Sequence, residues 1–216
     1  MESLKIVYKG GEGELVEKKS RFIATVEPAD SEEQALAFIE RMRKKYWDAS
    51  HNCFAYIIGE KNELQRCSDD GEPSQTAGRP MLDVLLGEEI HNACVVVTRY
   101  FGGTLLGTGG LVRAYSGAAK EGLANAVIVT KLLAEELTLA SDYADIGKIQ
   151  YILAQMGTIT LETQYSDRVV TRVVSPVGEA GKLKADLTEG TNGRIGIELL
   201  RQVYYGMVNG KPVLFG

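Results

Sequence analysis

The chain has 216 residues, 44 % of them hydrophobic and 25 % charged, with a formal net charge of −5. That length holds one large domain or two of about 100 residues each, and no apolar run approaches the ~20 residues of a membrane-spanning helix. Up to Lys131 there are 16 basic and 19 acidic residues, and beyond it 8 and 10, so binding to nucleic acid needs a local cationic face on an acidic background.

In chain order, Met1-Glu2-Ser3-Leu4-Lys5 lacks the basic flank and apolar stretch of a signal peptide. Residues 12–27 read as two strands, with Phe22, Ala24 and Val26 alternating onto one face. Ser31 and Gln34 form a capping-box pattern ahead of a helix whose apolar positions are Ala35, Phe38, Ile39, Met42 and Tyr46. The basic run Arg41, Arg43, Lys44, Lys45 ends it, at the negative end of the helix dipole. Cys53–Ile58 is apolar on both faces, hence a central strand. A short helix runs from near Thr76 to Leu86, a buried strand from Ala93 to Thr98, and a helix from 108 to 126. Leu111, Val112, Tyr115, Ala119 and Leu123 are the core stripe of that last helix; Arg113, Ser116 and Lys120 fall on a polar face.

After a short linker around Thr130–Ala134, strand 135–141 leads into a helix with Ile149, Ile152, Leu153 and Met156 at core spacing. Strands 159–165 and 168–174 follow. Ser175 caps a helix with Pro176 at its first position and Gly190 at its stop, and strand 195–203 closes the unit. The order βαββαβ is that of a ferredoxin-like fold. The expected fold class is α+β, with one domain over 1–131 and a second over 132–216, each folding by itself.

Two segments carry more polar and glycine content than packing requires. The first is Ser68–Pro80, where Asp69, Asp70 and Glu72 sit in one turn. Its acids either hold a cation or act as a base, or they shape an Asp-Asp-Gly turn while Ser74 or Thr76 caps the helix beyond. The second is Thr98–Arg113, with Gly102, Gly103, Gly107, Gly109 and Gly110 between Arg99 and Arg113. Such a turn lets backbone N–H groups meet a phosphate at a helix N-terminus, with the two arginines as bidentate partners. It is neither a Walker A loop nor a dinucleotide fingerprint. The alternative is a close-packed loop with Arg99 ion-paired to an acid such as Asp70. His51 and Cys53 share a strand face; with His91 or Cys94 they could bind a metal or form a Cys–His pair, but nothing in the spacing requires it, and they read as a satisfied histidine and a buried thiol. Cys53, Cys67 and Cys94 fit no zinc spacing and no disulfide framework, so no metal is expected and a cytoplasmic location is.

Together, Asp69-Asp70-Gly71-Glu72-Pro73, Thr76-Ala77-Gly78 with Pro80, Val97–Gly103 and Leu106-Gly107 with Gly109–Tyr115 resemble the IMPACT/YigZ family over residues 1–130. The C-terminal unit is similar to the ferredoxin-like domain of bacterial members, so the resemblance covers the whole chain. One departure is Gln75, where the family more often has glycine. The resemblance implies an N-terminal domain like domain 2 of ribosomal protein S5 and a C-terminal one like domain V of elongation factor G. It also implies a link to translation, since the eukaryotic member regulates initiation by binding a co-activator of a stress kinase; that member carries an extra N-terminal module, so the partner itself does not transfer. The leading functional expectation is a non-enzymatic regulator that engages RNA, the ribosome or a translation partner, with no cofactor and no membrane. Its phosphate-binding or nucleic-acid-binding residues would be Arg99, Gly102, Gly103, Gly107, Gly109, Gly110 and Arg113, with an acidic site at Asp69, Asp70 and Glu72. The alternatives are a phosphate-handling or hydrolytic enzyme using the same turns, and a scaffold binding an acidic peptide between Arg99 and Arg113.

Overall fold

The computed structural model describes residues 3–215. Its contacts group into two units, one spanning Leu4–Thr130 and the other taking in the chain from Lys131 onward.

In the first unit the elements are β1 (Ser3–Lys9), β2 (Gly11–Glu17), β3 (Ser20–Pro28), α1 (Glu32–Lys45), β4 (His51–Ile58), β5 (Leu64–Ser68), α2 (Gly78–Gly87), β6 (Ile90–His91), β7 (Ala93–Tyr100) and α3 (Thr108–Ala124). Five strands make an antiparallel sheet in the order β2-β3-β7-β4-β5. Because side chains alternate along a strand, the central strands β4 and β7 serve two cores. Phe22, Ala24, Cys53, Ala55, Val95 and Val97 pack with Met81 and Leu85 of α2 and with Leu111 and Tyr115 of α3. Tyr56, Cys94 and Val96 turn the other way, onto Phe38, Ile39 and Met42 of α1.

The start of α1 is set by its own sequence. Ser31 Oγ accepts from Gln34 N–H at 3.2 Å, and the Gln34 side chain reaches back to Asp30 N–H at 2.9 Å. The start of α2 is not. Neither Ser74 nor Thr76 caps it: Asp69, in the preceding turn, accepts from the N–H groups of Ala77 and Gly78 at 2.9 Å each, while the Thr76 hydroxyl donates to the Pro73 carbonyl.

The second unit is built from β8 (Val127–Ser141), a 3-10 turn, α4 (Ile146–Gln155), β9 (Ile159–Tyr165), β10 (Val169–Pro176), α5 (Val177–Gly190), β11 (Gly196–Val208) and β12 (Lys211–Phe215). The sheet order β11-β8-β10-β9, antiparallel throughout, with α4 and α5 packed over Leu137, Leu139 and Val173, is the ferredoxin-like arrangement. Three expectations are corrected. The segment read as a linker, Thr130–Ala134, lies inside β8, whose Val127–Thr130 end belongs to the first unit. Ser175 is buried within β10 and does not cap α5, which starts at Val177. The chain also continues past 203 into β12, through a tight turn at Asn209-Gly210 with φ of 50° and 75°. Within the first unit β1 also pairs in parallel with β6, and within the second β12 pairs with β11.

Candidate functional site

Strand register assembles the site. Pairing of β4 with β7 puts His51 opposite Arg99, and pairing of β3 with β7 puts Phe22 there on the other side. Arg99 is only 5 % exposed. Its Nη1 donates to Glu72 Oε1 at 2.7 Å and its Nη2 to Ser20 Oγ at 3.3 Å. The guanidinium carbon stands 5.3 Å from the Phe22 ring centroid and 5.4 Å from that of Phe101. Tyr115, fully buried on α3, donates its hydroxyl to the same Glu72 Oε1 at 2.7 Å. Burial drives the Tyr115 phenol well above its ordinary range, so it stays a donor.

Each acid of the 69–72 turn has its own donors. Asp69 Oδ1 takes the two amides at the start of α2, and its Oδ2 takes Gln75 N–H at 2.8 Å. Burial opposes ionisation of Asp69, but these backbone donors outweigh it and hold the carboxyl below its usual range. Asp70 Oδ2 accepts from Asn52 N–H at 2.6 Å, and its Oδ1 lies 3.6 Å from Arg43. Glu72 turns inward and is 8 % exposed. The acid that meets Arg99 is therefore Glu72, not Asp70. Among the described residues no donor reaches Glu72 Oε2, whose carboxyl lines an open cleft. Gln75 holds φ of 62°, a left-handed conformation that glycine adopts freely.

His51 and Cys53 complete the cluster on the parity they share along β4. His51 Nδ1 lies 2.8 Å from the Asp70 carbonyl oxygen. A carbonyl only accepts, so Nδ1 carries a proton, and Nε2 faces Glu72 Oε1 at 3.8 Å. The Cys53 thiol donates to the Asp69 carbonyl at 3.0 Å and lies 3.4 Å from the Tyr115 hydroxyl. Burial raises it far above the ordinary thiol range despite the Tyr115 contact, which leaves no thiolate.

Two clefts flank the glycine-rich loop. The larger, about 470 Å³, is lined by His51, Glu72, Pro73 and Arg99 and walled by Phe101, Leu105, Leu106 and Leu111. Phe101 is 50 % and Leu105 82 % exposed. The smaller, about 260 Å³, is lined by Lys18, Leu106, Gly110 and Arg113. Leu106 borders both. Gly107, at φ 73°, precedes α3 without a side-chain cap, and the first helical hydrogen bond is Leu111 N–H to Gly107 O; the amides ahead of it lack intrahelical acceptors. Gly102 fits because a Cβ there would fall 2.1 Å from the Lys19 backbone.

The structure thus separates residues that the sequence reading grouped. Arg99 is buried under the larger cleft, whereas Arg113 is exposed on the smaller one. Gly107 lines the larger cleft and Gly110 the smaller; Gly103 and Gly109 are exposed on the loop and the first turn of α3. Participants outside the expected set include Ser20, Phe101 and Tyr115, and further Lys18, Lys19 and His51. Lys18 and Lys19 form the two-residue β2–β3 turn, at φ 45° and 68°, beside Gly102. His51 was legible only as a residue in phase with Cys53.

Residues 18–123 match the Impact N-terminal domain, and residues 139–194 match a domain of unknown function (DUF1949). The chain is 41 % identical over 192 residues to IMPACT family member YvyE of Bacillus subtilis (strain 168), covering 89 % of this chain and 88 % of that protein. It is 38 % identical over 180 residues to IMPACT family member YigZ of Escherichia coli (strain K12), covering 82 % and 88 %. Protein IMPACT-B of Xenopus tropicalis matches at 36 % over 46 % of this chain and 32 % of its own length. A crystal structure of a hypothetical protein superposes with a TM-score of 0.60 at 35 % identity, covering 93 % of this chain and 98 % of that one. On these matches to both halves of the sequence, the chain belongs to the IMPACT family.

Proposed function

We propose that this protein is a non-enzymatic, cytoplasmic binding protein of translation control that engages single-stranded RNA across the two clefts. The observation that carries the reading is a set of exposed cations, Lys18, Lys19 and Arg113, none of which has a carboxylate within ion-pair distance among the described residues. Lys18 and Arg113 border the smaller cleft, which Leu106 separates from the larger one walled by the exposed aromatic ring of Phe101. Unneutralised cations beside an exposed aromatic face are what a phosphate backbone with unstacked bases recognises. The open amides before α3 add a second anion-attracting element. Arg41, Arg43 and Lys45, by contrast, each meet a glutamate. Non-enzymatic action accords with a Cys53 thiol held protonated and with Asp69 and Asp70 engaged by backbone donors.

The test is fluorescence anisotropy of a labelled short single-stranded RNA over a salt series. Replacing Lys18, Lys19 and Arg113 together by alanine should lower the slope of log K against log salt by about 2, at ~0.7 per phosphate contact. Replacing Arg41 and Lys45 should leave it unchanged. Absence of RNA affinity at low salt, or an unchanged slope in the triple variant, rejects the reading.

A further inference from the structure

We infer that the larger cleft reads the sugar of bound RNA: the 2′-hydroxyl of one nucleotide donates to Glu72 Oε2, so that RNA is held in preference to DNA whatever the base. The inference rests on the RNA reading above and deepens it.

Glu72 is more than nine-tenths buried, yet only half of its carboxylate is satisfied. Oε1 accepts from both Arg99 and Tyr115, while Oε2 receives nothing from the described residues and its carboxyl lines the cleft. An ionised carboxylate oxygen accepts and never donates, so the ligand atom that completes it carries a proton. That ligand atom is neutral. The Glu72 charge is already matched by Arg99 at 2.7 Å, so a second cation would gain little, and an anion would face the carboxylate. Donors line the same cleft: the Ser50 and Thr108 hydroxyls, and Arg99, whose Nε is buried without an acceptor. A floor that both accepts and donates suits a hydroxyl, which does both at one atom.

The layout of the two clefts points to the sugar and not the base. Leu106 borders both. With a phosphate on Lys18 and Arg113 in the smaller cleft, the ribose joined to it is the first group to pass Leu106 into the larger. The base then follows toward Phe101, whose ring is half exposed. Stacking there takes any base, because every base has a π-face. The hydrogen bond to Glu72 is equally blind to sequence, since each ribonucleotide of the chain brings a 2′-hydroxyl. That hydroxyl, both donor and acceptor, is the group by which a protein tells RNA from DNA.

The experiment compares oligo(U) with its 2′-deoxy and 2′-fluoro forms by anisotropy on the full chain. The wild type should bind the ribo form on the order of tenfold tighter than either, the scale of one hydrogen bond to a charged group. Fluorine at the 2′ position keeps the sugar pucker of RNA but has no proton to donate, so this arm separates a contact from a preference for backbone shape. The same gap should appear in oligo(A) and oligo(C). Glu72→Gln keeps an acceptor toward Arg99 and Tyr115, turns an amide donor into the cleft, and should close most of the gap. Glu72→Asp, which keeps a charge for Arg99 but draws the oxygens back, serves the same arm if the glutamine variant does not fold. Arg113→Ala should weaken all forms alike and leave the gap in place. Equal binding of the ribo and 2′-fluoro forms, a gap that appears with one base only, or a full gap in a folded Glu72 variant refutes the sugar contact and leaves the RNA reading standing. If no oligonucleotide binds at low salt, the RNA reading itself fails.

Discussion

Each unit buries one glutamate against arginine, and the two glutamates are finished differently. Glu136 of β8 is fully buried with both oxygens engaged: Oε1 by Arg172 and Oε2 by Arg201 at 2.8 Å. Both arginines keep their heads partly in water, with side chains 41 % and 59 % exposed. Glu72 meets a single guanidinium, that of Arg99, which is as buried as itself, and leaves one oxygen facing a cleft. The first arrangement is a closed cross-strand clamp within a sheet. The second keeps an unused acceptor at the floor of a concavity, which is how a ligand site differs from a structural ion pair.

The largest test of that contrast is to remove one arginine from each. Arg99→Ala strands a buried carboxylate and should cost ~3–5 kcal/mol. Arg172→Ala leaves Glu136 its second arginine, and should cost less, ~1–3 kcal/mol. Urea unfolding of both variants measures the difference, and equal losses would erase the distinction.

Acid gives the next largest effect. Hydrogen bonding to Arg172 holds the Glu136 carboxyl below its ordinary value; burial opposes this, and Arg201 reinforces it. A folded value below the unfolded one contributes stability that is complete above the unfolded range, about 4.3, and is lost as pH falls through the folded value. Thermal melts from about pH 7 to about pH 3 should therefore fall more steeply for the wild type than for Glu136→Gln, which has already lost this component at neutral pH. Parallel curves would show that Glu136 does not carry it.

The smallest effect concerns the turn that delivers Glu72. Gln75 sits at φ 62°. Gln75→Gly should raise stability by no more than about 1 kcal/mol, since the relief of left-handed strain exceeds the added chain entropy only slightly. It should leave RNA affinity unchanged. A clear loss of stability would mean that the Gln75 side chain contributes more than its backbone conformation costs.

Sequence alone determined what depends on neighbours a few residues away. The Ser31–Gln34 cap, the Leu111–Leu123 stripe of α3, the alternation along β3 and the βαββαβ order all reside in local periodicity, because helix and strand each impose a fixed repeat on the chain. It also marked the two turns that carry the site. The site itself joins residues far apart: Glu72 and Arg99 are 27 positions apart, Glu72 and Tyr115 are 43. Only sheet register put His51 opposite Arg99 on β7 and buried that guanidinium, while Arg113 stayed exposed on α3. The cap of α2 belongs with these, since Asp69 reaches it across eight and nine residues. No local pattern encodes which buried carboxylate is left with a free oxygen, because that depends on how many donors the folded chain brings within about 3 Å of it.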